Sequence, residues 1–553
     1  MKSNYTTENI FTDVKFNKFP RHKFNKSYFS KLTLNHGYAV PFFVDDVLPG
    51  DRFDLKTFGR IQLQPLATSS MQNIRCYFRY FYVPYRLVWE NWDKFMTQDP
   101  NSEVAILAPY TQMNNVQMSV MSDKPWSLAD YLGVGLTPKK RYSDPNTKLQ
   151  FNLFRFAAYY LIWNEYFRDE NLQSLAGLHP SGEYLIDGYQ PYDTHWLHML
   201  PISYEKDYFT TALPWPQKGE PVNLNAYVQT YKFSAPVSDA TVTFGSSDSL
   251  VYGNVVTNTQ VQNVGLRVSS SAPVGSPLES SVSGQEAFIT IPDNTLSTSI
   301  NINDLRYSNA LQRYLERKAL GGSRPAEFYL SMYGVRVDDL RIGRPFYLGG
   351  GHSNVTITDV ASSIHTTDND GNDIPQGSLA GNGKTFPAMS INHPYYCQEA
   401  GVVMGIMYLR PEINYMQGLP KQMQIFRTLD YYNPIFANLG EEAVMKSELV
   451  IFDGLDNTTS ENNTDTVFGY QSRYAYLKHR RNEIHGDFKT SLSKWMLAPV
   501  LPDNVELNDD FISVQQDYSI FAVEDPDQHH YLCELFNDYQ VESNMPDFSI
   551  PSL

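Results

Sequence analysis

The sequence predicts a mainly β fold, a sheet sandwich or barrel into which helices are inserted. Strand formers gather in short runs closed by turn signals. Residues Lys31–Leu48 end at Pro49-Gly50-Asp51, Ile74–Val83 ends at Pro84, and Val402–Leu409 ends before Pro411. Helical patterns do not recur between these runs, as a doubly wound α/β fold would require. At 553 residues, with 42% hydrophobic and 19% charged side chains, the chain is long enough for several domains or one core fold with large insertions.

Each run has its own character. Ile74–Val83 is rich in strand formers but alternates poorly, and Val402–Leu409 is continuously apolar. Asn152–Arg168 is apolar around most of its circumference and reads as a buried helix. Asp304–Ala319 reads as a helix capped at Asp304, with an apolar face of Tyr307, Leu311, Tyr314 and Leu315, stopped by Gly321-Gly322. From about 219 to 300 the chain is rich in Ser, Thr, Val, Asn and Gly with few charges. Val-bearing stretches at Ala240–Phe244 and Val264–Val268 make it a β-rich, solvent-facing insertion rather than a linker. Thr366–Thr385 reads as a long polar loop.

Charge is unevenly spread. The net charge of −16 argues against nucleic-acid binding in sum, but residues 501–553 hold twelve acidic side chains and no Lys or Arg. Within the first 35 residues seven cations oppose Glu8 and Asp13, so the two chain ends are expected in different environments. Lys15, Lys18, Arg21, Lys23 and Lys26 interleave with Phe16, Phe19, Phe24, Tyr28 and Phe29. Cations neutralise phosphates and aromatic faces stack on unpaired bases without reading sequence, which makes this arm a candidate nucleic-acid contact. The other reading is a solvated tail with a few anchoring aromatics.

Cys76, Cys397 and Cys533 are too scattered for a disulfide framework or structural zinc site and suit a reducing compartment. The N-terminus has no signal-peptide pattern, and the longest apolar run is about half a membrane span, so no membrane insertion is expected.

Patterns that suggest catalysis or metal binding fail on spacing. Gly383-Lys384-Thr385 resembles the end of a phosphate-binding loop, but Ser378 stands where that motif needs Gly, so a polar loop is the better reading. Asp368, Asp370, Asn372 and Asp373 around Gly371 lack the Gly and Glu positions of a calcium loop. They read as an Asx-rich turn, with a weak surface cation site as the alternative. His195 and His198 have no third ligand at informative spacing. No catalytic site, metal site or cofactor is predicted.

Several motifs in order resemble the major capsid proteins of gokushoviruses, a branch of the microviruses. They are Gly37-Tyr38-Ala39-Val40-Pro41, Val44-Asp45-Asp46-Val47-Leu48-Pro49-Gly50-Asp51 and Val83-Pro84-Tyr85-Arg86-Leu87-Val88-Trp89-Glu90-Asn91-Trp92, where Tyr85 replaces the usual Asn. Asp207-Tyr208-Phe209-Thr210, Leu213-Pro214-Trp215-Pro216, Arg344-Pro345-Phe346-Tyr347, Asp430-Tyr431-Tyr432-Asn433-Pro434 and Met545-Pro546-Asp547 follow. The resemblance implies an eight-stranded antiparallel viral jelly roll with large helical and loop insertions. It also implies a structural, non-enzymatic subunit, sixty copies of which form a T=1 icosahedral virion shell around circular single-stranded DNA.

On that basis the expected layout is a basic arm over 1–30, barrel over 31–218 and 301–500, a threefold protrusion over 219–300 involved in host attachment, and an acidic segment over 501–553. The expected partners are further copies, packaged single-stranded DNA, a host receptor, and a small basic DNA-binding protein, a scaffolding protein and a pilot protein of the same phage, with assembly in the bacterial cytoplasm. A trimeric receptor-binding spike and a carbohydrate-active jelly-roll protein are the alternatives.

Overall fold

The computed structural model describes residues 20–97, 107–124, 126–177, 198–219, 302–322, 324–361, 366–367, 373–374, 376–377, 379–453 and 467–547, with short strands between 233 and 289. The chain divides into two compact units. One comprises Met1–Lys218 with Glu316–Leu553, and the other Gly219–Leu315.

The larger unit is built on two antiparallel sheets. The strands of these two sheets in chain order are β1 (His22–Asn25), β2 (Tyr28–Leu34), β3 (Val40–Val47), β4 (Arg52–Leu63), β5 (Ile74–Pro84), β6 (Phe346–Asn354), β7 (Thr356–Ala361), β8 (Leu379–Thr385), β9 (Ala388–Ser390), β10 (Tyr395–Tyr396), β11 (Gly401–Pro411) and β12 (Tyr531–Ser543). One sheet runs β1-β12-β4-β8-β7, with β2 also on β12 and with β9 and β10 also on β4. The other runs β6-β5-β11-β3. The tight turn between β3 and β4 uses Gly50 at φ +93°, while Asp51 accepts the Leu48 amide at 2.9 Å.

β11 explains the unbroken apolar run. It lies between β5 and β3 in its sheet, and every residue from Gly401 to Leu409 is buried. Val403, Met407 and Leu409 enter the core between the two sheets, whereas Val402, Met404, Ile406 and Tyr408 enter a second core on the opposite face. β5 divides in the same way, with Cys76, Phe78, Tyr80 and Tyr82 on one side and Tyr77, Phe81 and Val83 on the other. A strand covered on both faces has no solvent side to carry polar residues, so its sequence does not alternate. Gly405 sits at the β11–β3 bulge, where a Cβ would lie 2.7 Å from the Phe42 ring.

Helix α1 (Phe154–Tyr166) is the centre of the second core, as its all-round apolarity predicts. Tyr159 donates to the Ala39 carbonyl at 2.8 Å and accepts the Leu200 amide at 2.9 Å, and Trp163 donates to the Pro201 carbonyl at 2.7 Å. These bonds satisfy the polar tips of buried aromatics.

Helix α2 (Ile302–Leu320) departs from expectation. Asp304 lies inside it rather than capping it, and Tyr307 and Tyr314 are exposed; among its described side chains Ala319 alone is fully buried. The stop at Gly321-Gly322 holds, with Gly322 at φ +78°. Thr366–Thr385 is not simply a loop. β8 occupies its end, and Gly383-Lys384-Thr385 pairs with β4 through Lys384 opposite Gln62 and Thr385 opposite Ile61. Gly381 and Gly383 let this strand's backbone pass over Leu66 and Leu63, where a Cβ would come within 2.7 Å. Tertiary pairing overrides the polar composition here.

In the smaller unit the strands Phe233–Ala235, Tyr252–Thr257, Gln260–Arg267, Glu279–Ser280 and Ala287–Ile289 pair antiparallel in two small sheets. Residues 240–244 lie outside the described residues. Among the described residues no helix is long and apolar enough to cross a membrane.

The link between β2 and β3 is buried against the segment before β12. His36 is fully buried, with Nε2 3.2 Å from the Gln515 carbonyl and its ring 5.2 Å from Tyr518. Asn35 accepts the His530 amide at 2.9 Å, and the His530 ring stacks on Tyr518 at 4.4 Å.

Two outcomes test this architecture. Phe78 is fully buried between the sheets, so Phe78→Ala should cost about 3–5 kcal/mol in denaturant unfolding of the subunit; a loss under about 1 kcal/mol would contradict the placement. Burial pushes His36 down to about 4, while the unfolded state takes up its proton near 6.5. Its contribution, on the order of 3 kcal/mol, is therefore full above about pH 6.5 and is lost as pH falls toward 4. Unfolding midpoints across that range should drop with acid in the wild type and drop less in His36→Gln.

Candidate nucleic-acid and assembly surfaces

The two ends of the chain, oppositely charged in sequence, are strand partners. β1 pairs with β12 from His22 opposite Ser543 to Asn25 opposite Gln540, and β2 continues from Tyr28 opposite Asn537 to Leu34 opposite Tyr531. For the described part of the arm this corrects the expectation that the ends see different environments, while residues 1–19 lie outside the described residues. Opposite charge on adjacent strands draws the ends together, and the backbone ladder then holds them.

Of the five candidate cations, Lys23 lies on this ladder and Arg21 and Lys26 flank its first strand. Arg21 Nε lies 3.2 Å from Glu542, its guanidinium donates to the Gly50 carbonyl, and it sits 5.7 Å over the Tyr396 ring. Lys26 Nζ lies 2.6 Å from Asp45 and 5.5 Å from the Tyr539 ring centroid. Lys23 is exposed, and among the described residues it makes no ion pair. Lys15 and Lys18, with Phe16 and Phe19, lie outside the described residues. Lys31, next along, approaches Glu534 at 3.8 Å. Exposed pairs of this kind contribute about 0–1 kcal/mol each, so they align the arm more than they stabilise it. Phe24 is partly buried, while Phe29 is 69% exposed and tilted against Phe536 at 4.7 Å.

A second surface was not singled out by the sequence. Between residues 421 and 439 a series of single 3₁₀ turns presents Phe426, Leu429, Tyr431, Tyr432 and Ile435, the last 80% exposed. The segment is fastened from below. Lys421, largely buried, donates to the Ala443 carbonyl at 2.9 Å and lies 3.4 Å from Glu442. Ser447 donates to Gln424 at 2.8 Å, the Asn433 side chain accepts the Ile435 amide at 3.0 Å, and Tyr432 meets Tyr474 edge-on at 4.9 Å. Exposed apolar side chains on an anchored backbone form a preorganised contact patch. The sequence signal was there, a cluster of large apolar residues with no helical or strand period, but no periodicity marks a surface built from single turns.

Of the weaker patterns, His195 and Asp368, Asp370, Gly371 and Asn372 lie outside the described residues. Among the described residues no three His, Cys, Asp or Glu side chains gather as metal ligands. Cys76, Cys397 and Cys533 are buried free thiols, and burial raises the pKa of each.

Comparison with known proteins gives this geometry its context. Residues 12–553 match the family model described as capsid protein (F protein). The chain is similar to capsid protein VP1 of Chlamydia phage 1, at 30% identity over 99% of this chain and 98% of that protein. It is also similar to capsid protein VP1 of Bdellovibrio phage phiMH2K, at 30% identity over 96% and 95% of the two chains. Capsid protein VP1 of Spiroplasma virus 4 matches at 28% identity over 98% and 97%. A match of this length spans both sheets, the inserted helices and the paired chain ends, and it makes the role structural rather than catalytic: the chain belongs to the phage F capsid protein family.

Proposed function

We propose that this chain is the major shell subunit of a microvirus-like phage, sixty copies of which close a T=1 icosahedral capsid around circular single-stranded DNA. We further propose that its wall is an eight-stranded jelly roll. The observation that carries this reading is the nesting of strand pairs. The outermost pair is β2 with β12, then β3 with β11, then β4 with β8, β9 and β10, and innermost β5 with β6. A ribbon of nested antiparallel pairs, folded across itself so that successive pairs enter alternate sheets, is the jelly-roll path.

A closed shell requires heterologous contacts on several sides of each subunit, together above ~2,000 Å². The 421–439 patch supplies large exposed apolar anchors suited to contact with a second copy. The arm contacts packaged DNA through Lys15, Lys18 and Lys23, while Arg21 and Lys26 are engaged with Glu542 and Asp45 and serve to place it. The Gly219–Leu315 unit is the host-facing protrusion. Assembly takes place in the bacterial cytoplasm.

One set of particles tests these statements. Electron microscopy of the protein expressed with its phage partners should show uniform icosahedral shells; trimers or monomers alone would contradict the shell. Neutralising Lys15, Lys18 and Lys23 to Gln should lower DNA per particle severalfold without shifting the subunit's unfolding midpoint, and unchanged DNA content would remove the arm from the interior. Deleting residues 225–295 should leave the subunit folded and impair adsorption to cells; an unfolded subunit would assign that segment to the core.

A further inference from the structure

A cleft of about 580 Å³ opens on the face of the β6-β5-β11-β3 sheet, beside the C-terminal end of α1. Six cations and three carboxylates line it. Carboxylates engage three of the cations: Glu165 lies 3.8 Å from Arg324 and 3.7 Å from Arg344, Glu170 and Glu327 lie 3.1 and 3.4 Å from Arg324, Asp339 lies 3.9 Å from Arg344, and Asp169 lies 3.7 Å from Lys206. Arg79 and Arg410, on the central strands, have no carboxylate within 4.0 Å among the described residues.

These two guanidinium groups are held by aromatic rings instead. Tyr77 and Tyr408 stack at 5.0 Å with planes 10° apart. Arg410 lies 5.3 Å from the Tyr77 ring and 5.2 Å from the Tyr408 ring, and Arg79 lies 5.5 Å from Tyr77 and 5.9 Å from Tyr347. Arg79 also donates to the Tyr347 hydroxyl at 3.2 Å. Among the described residues Arg410 Nε and the Ser203 hydroxyl are buried without a hydrogen-bond partner. Partly buried cations with unused donors are costly unless an anion completes them. Ring stacking fixes their planes so that little side-chain entropy is lost when one binds.

We propose that this cleft seats a backbone phosphate of single-stranded nucleic acid, with Arg79 and Arg410 as the principal donors. The inference rests on the shell reading above and adds to the arm a second contact, far from it in sequence. The cleft's volume accommodates a nucleotide, and its two guanidinium groups without a carboxylate match a phosphate. The Tyr77 and Tyr408 faces are already taken by guanidinium groups, so binding should be independent of base identity.

The test is binding of a fluorescent oligothymidylate to the purified full-length subunit across a salt series. Arg79→Gln with Arg410→Gln should weaken binding about tenfold and reduce the slope of log K against log salt by about 0.7, one phosphate contact. Arg79→Lys with Arg410→Lys should keep the slope and recover part of the affinity. Wild-type affinity and slope in the Gln variant overturn the proposal, and so does tighter binding of oligoglutamate than of oligothymidylate. If the Gln variant does not fold, photo-cross-linking of an iododeoxyuridine oligonucleotide to the wild-type subunit decides. Adducts on Tyr166, Tyr347 or Tyr408 support the cleft, and adducts confined elsewhere overturn it. Each of these results is separate from particle formation, whose absence would instead defeat the shell reading.

Discussion

The two-sided burial of β5 and β11 is the constraint on which the rest of the larger unit depends. A sheet with core on both faces needs a cover on each: the β1-β12-β4-β8-β7 sheet on one side, and α1 with the surrounding segments on the other. With about 25 cal/mol gained per Å² of apolar surface buried, a strand apolar at every position gains on both faces, whereas an alternating strand gains on one. The inserted helix is therefore a second wall of the core and not an appendage. Tyr159 and Trp163 join that wall to the backbone at Ala39, Leu200 and Pro201.

The same economy governs the chain ends. β12 hydrogen-bonds to β4 along one edge and to β1 and β2 along the other, so the last long strand depends on the first short ones. Sequence separations of this size make the contacts slow to form, because loop closure precedes any gain from pairing. Charge assists where entropy opposes. The acidic C-terminal strand and the basic N-terminal arm attract at long range, and Arg21–Glu542 and Lys31–Glu534 mark the register once they meet.

Net charge is a poor guide to the surfaces of such a subunit. Much of the −16 is concentrated in the C-terminal segment, and part of that segment is spent against the chain's own arm. Positive character survives where side chains from distant segments meet, as around Arg79 and Arg410, and apolar character survives where single turns are anchored from beneath, as around Phe426 and Ile435. Both surfaces hold their side chains ready before any partner arrives, which lowers the ordering cost of a contact.

Local composition was enough to read the mainly β class, the strands ending at Pro84 and Pro411, the turn at Gly50, the buried helix around Tyr159 and the ordered motifs that identify the family. These are features of neighbours in sequence: strand propensity, turn chemistry and all-round apolarity act over a few residues. The loop expected over Thr366–Thr385 and the separate settings of the chain ends were misread because each depends on a partner remote in sequence. Lys384 and Thr385 extend the sheet because β4 offers them a ladder, and Arg21 becomes a fastening only because Glu542 lies close by. The meeting of Arg79 and Arg410 at the Tyr77 ring is of the same kind, since register between β5 and β11 sets Tyr77 opposite Tyr408 and nothing in either strand alone announces it. Propensity and charge are written residue by residue, whereas hydrogen-bond register and burial are properties of pairs that exist only once the chain has closed on itself.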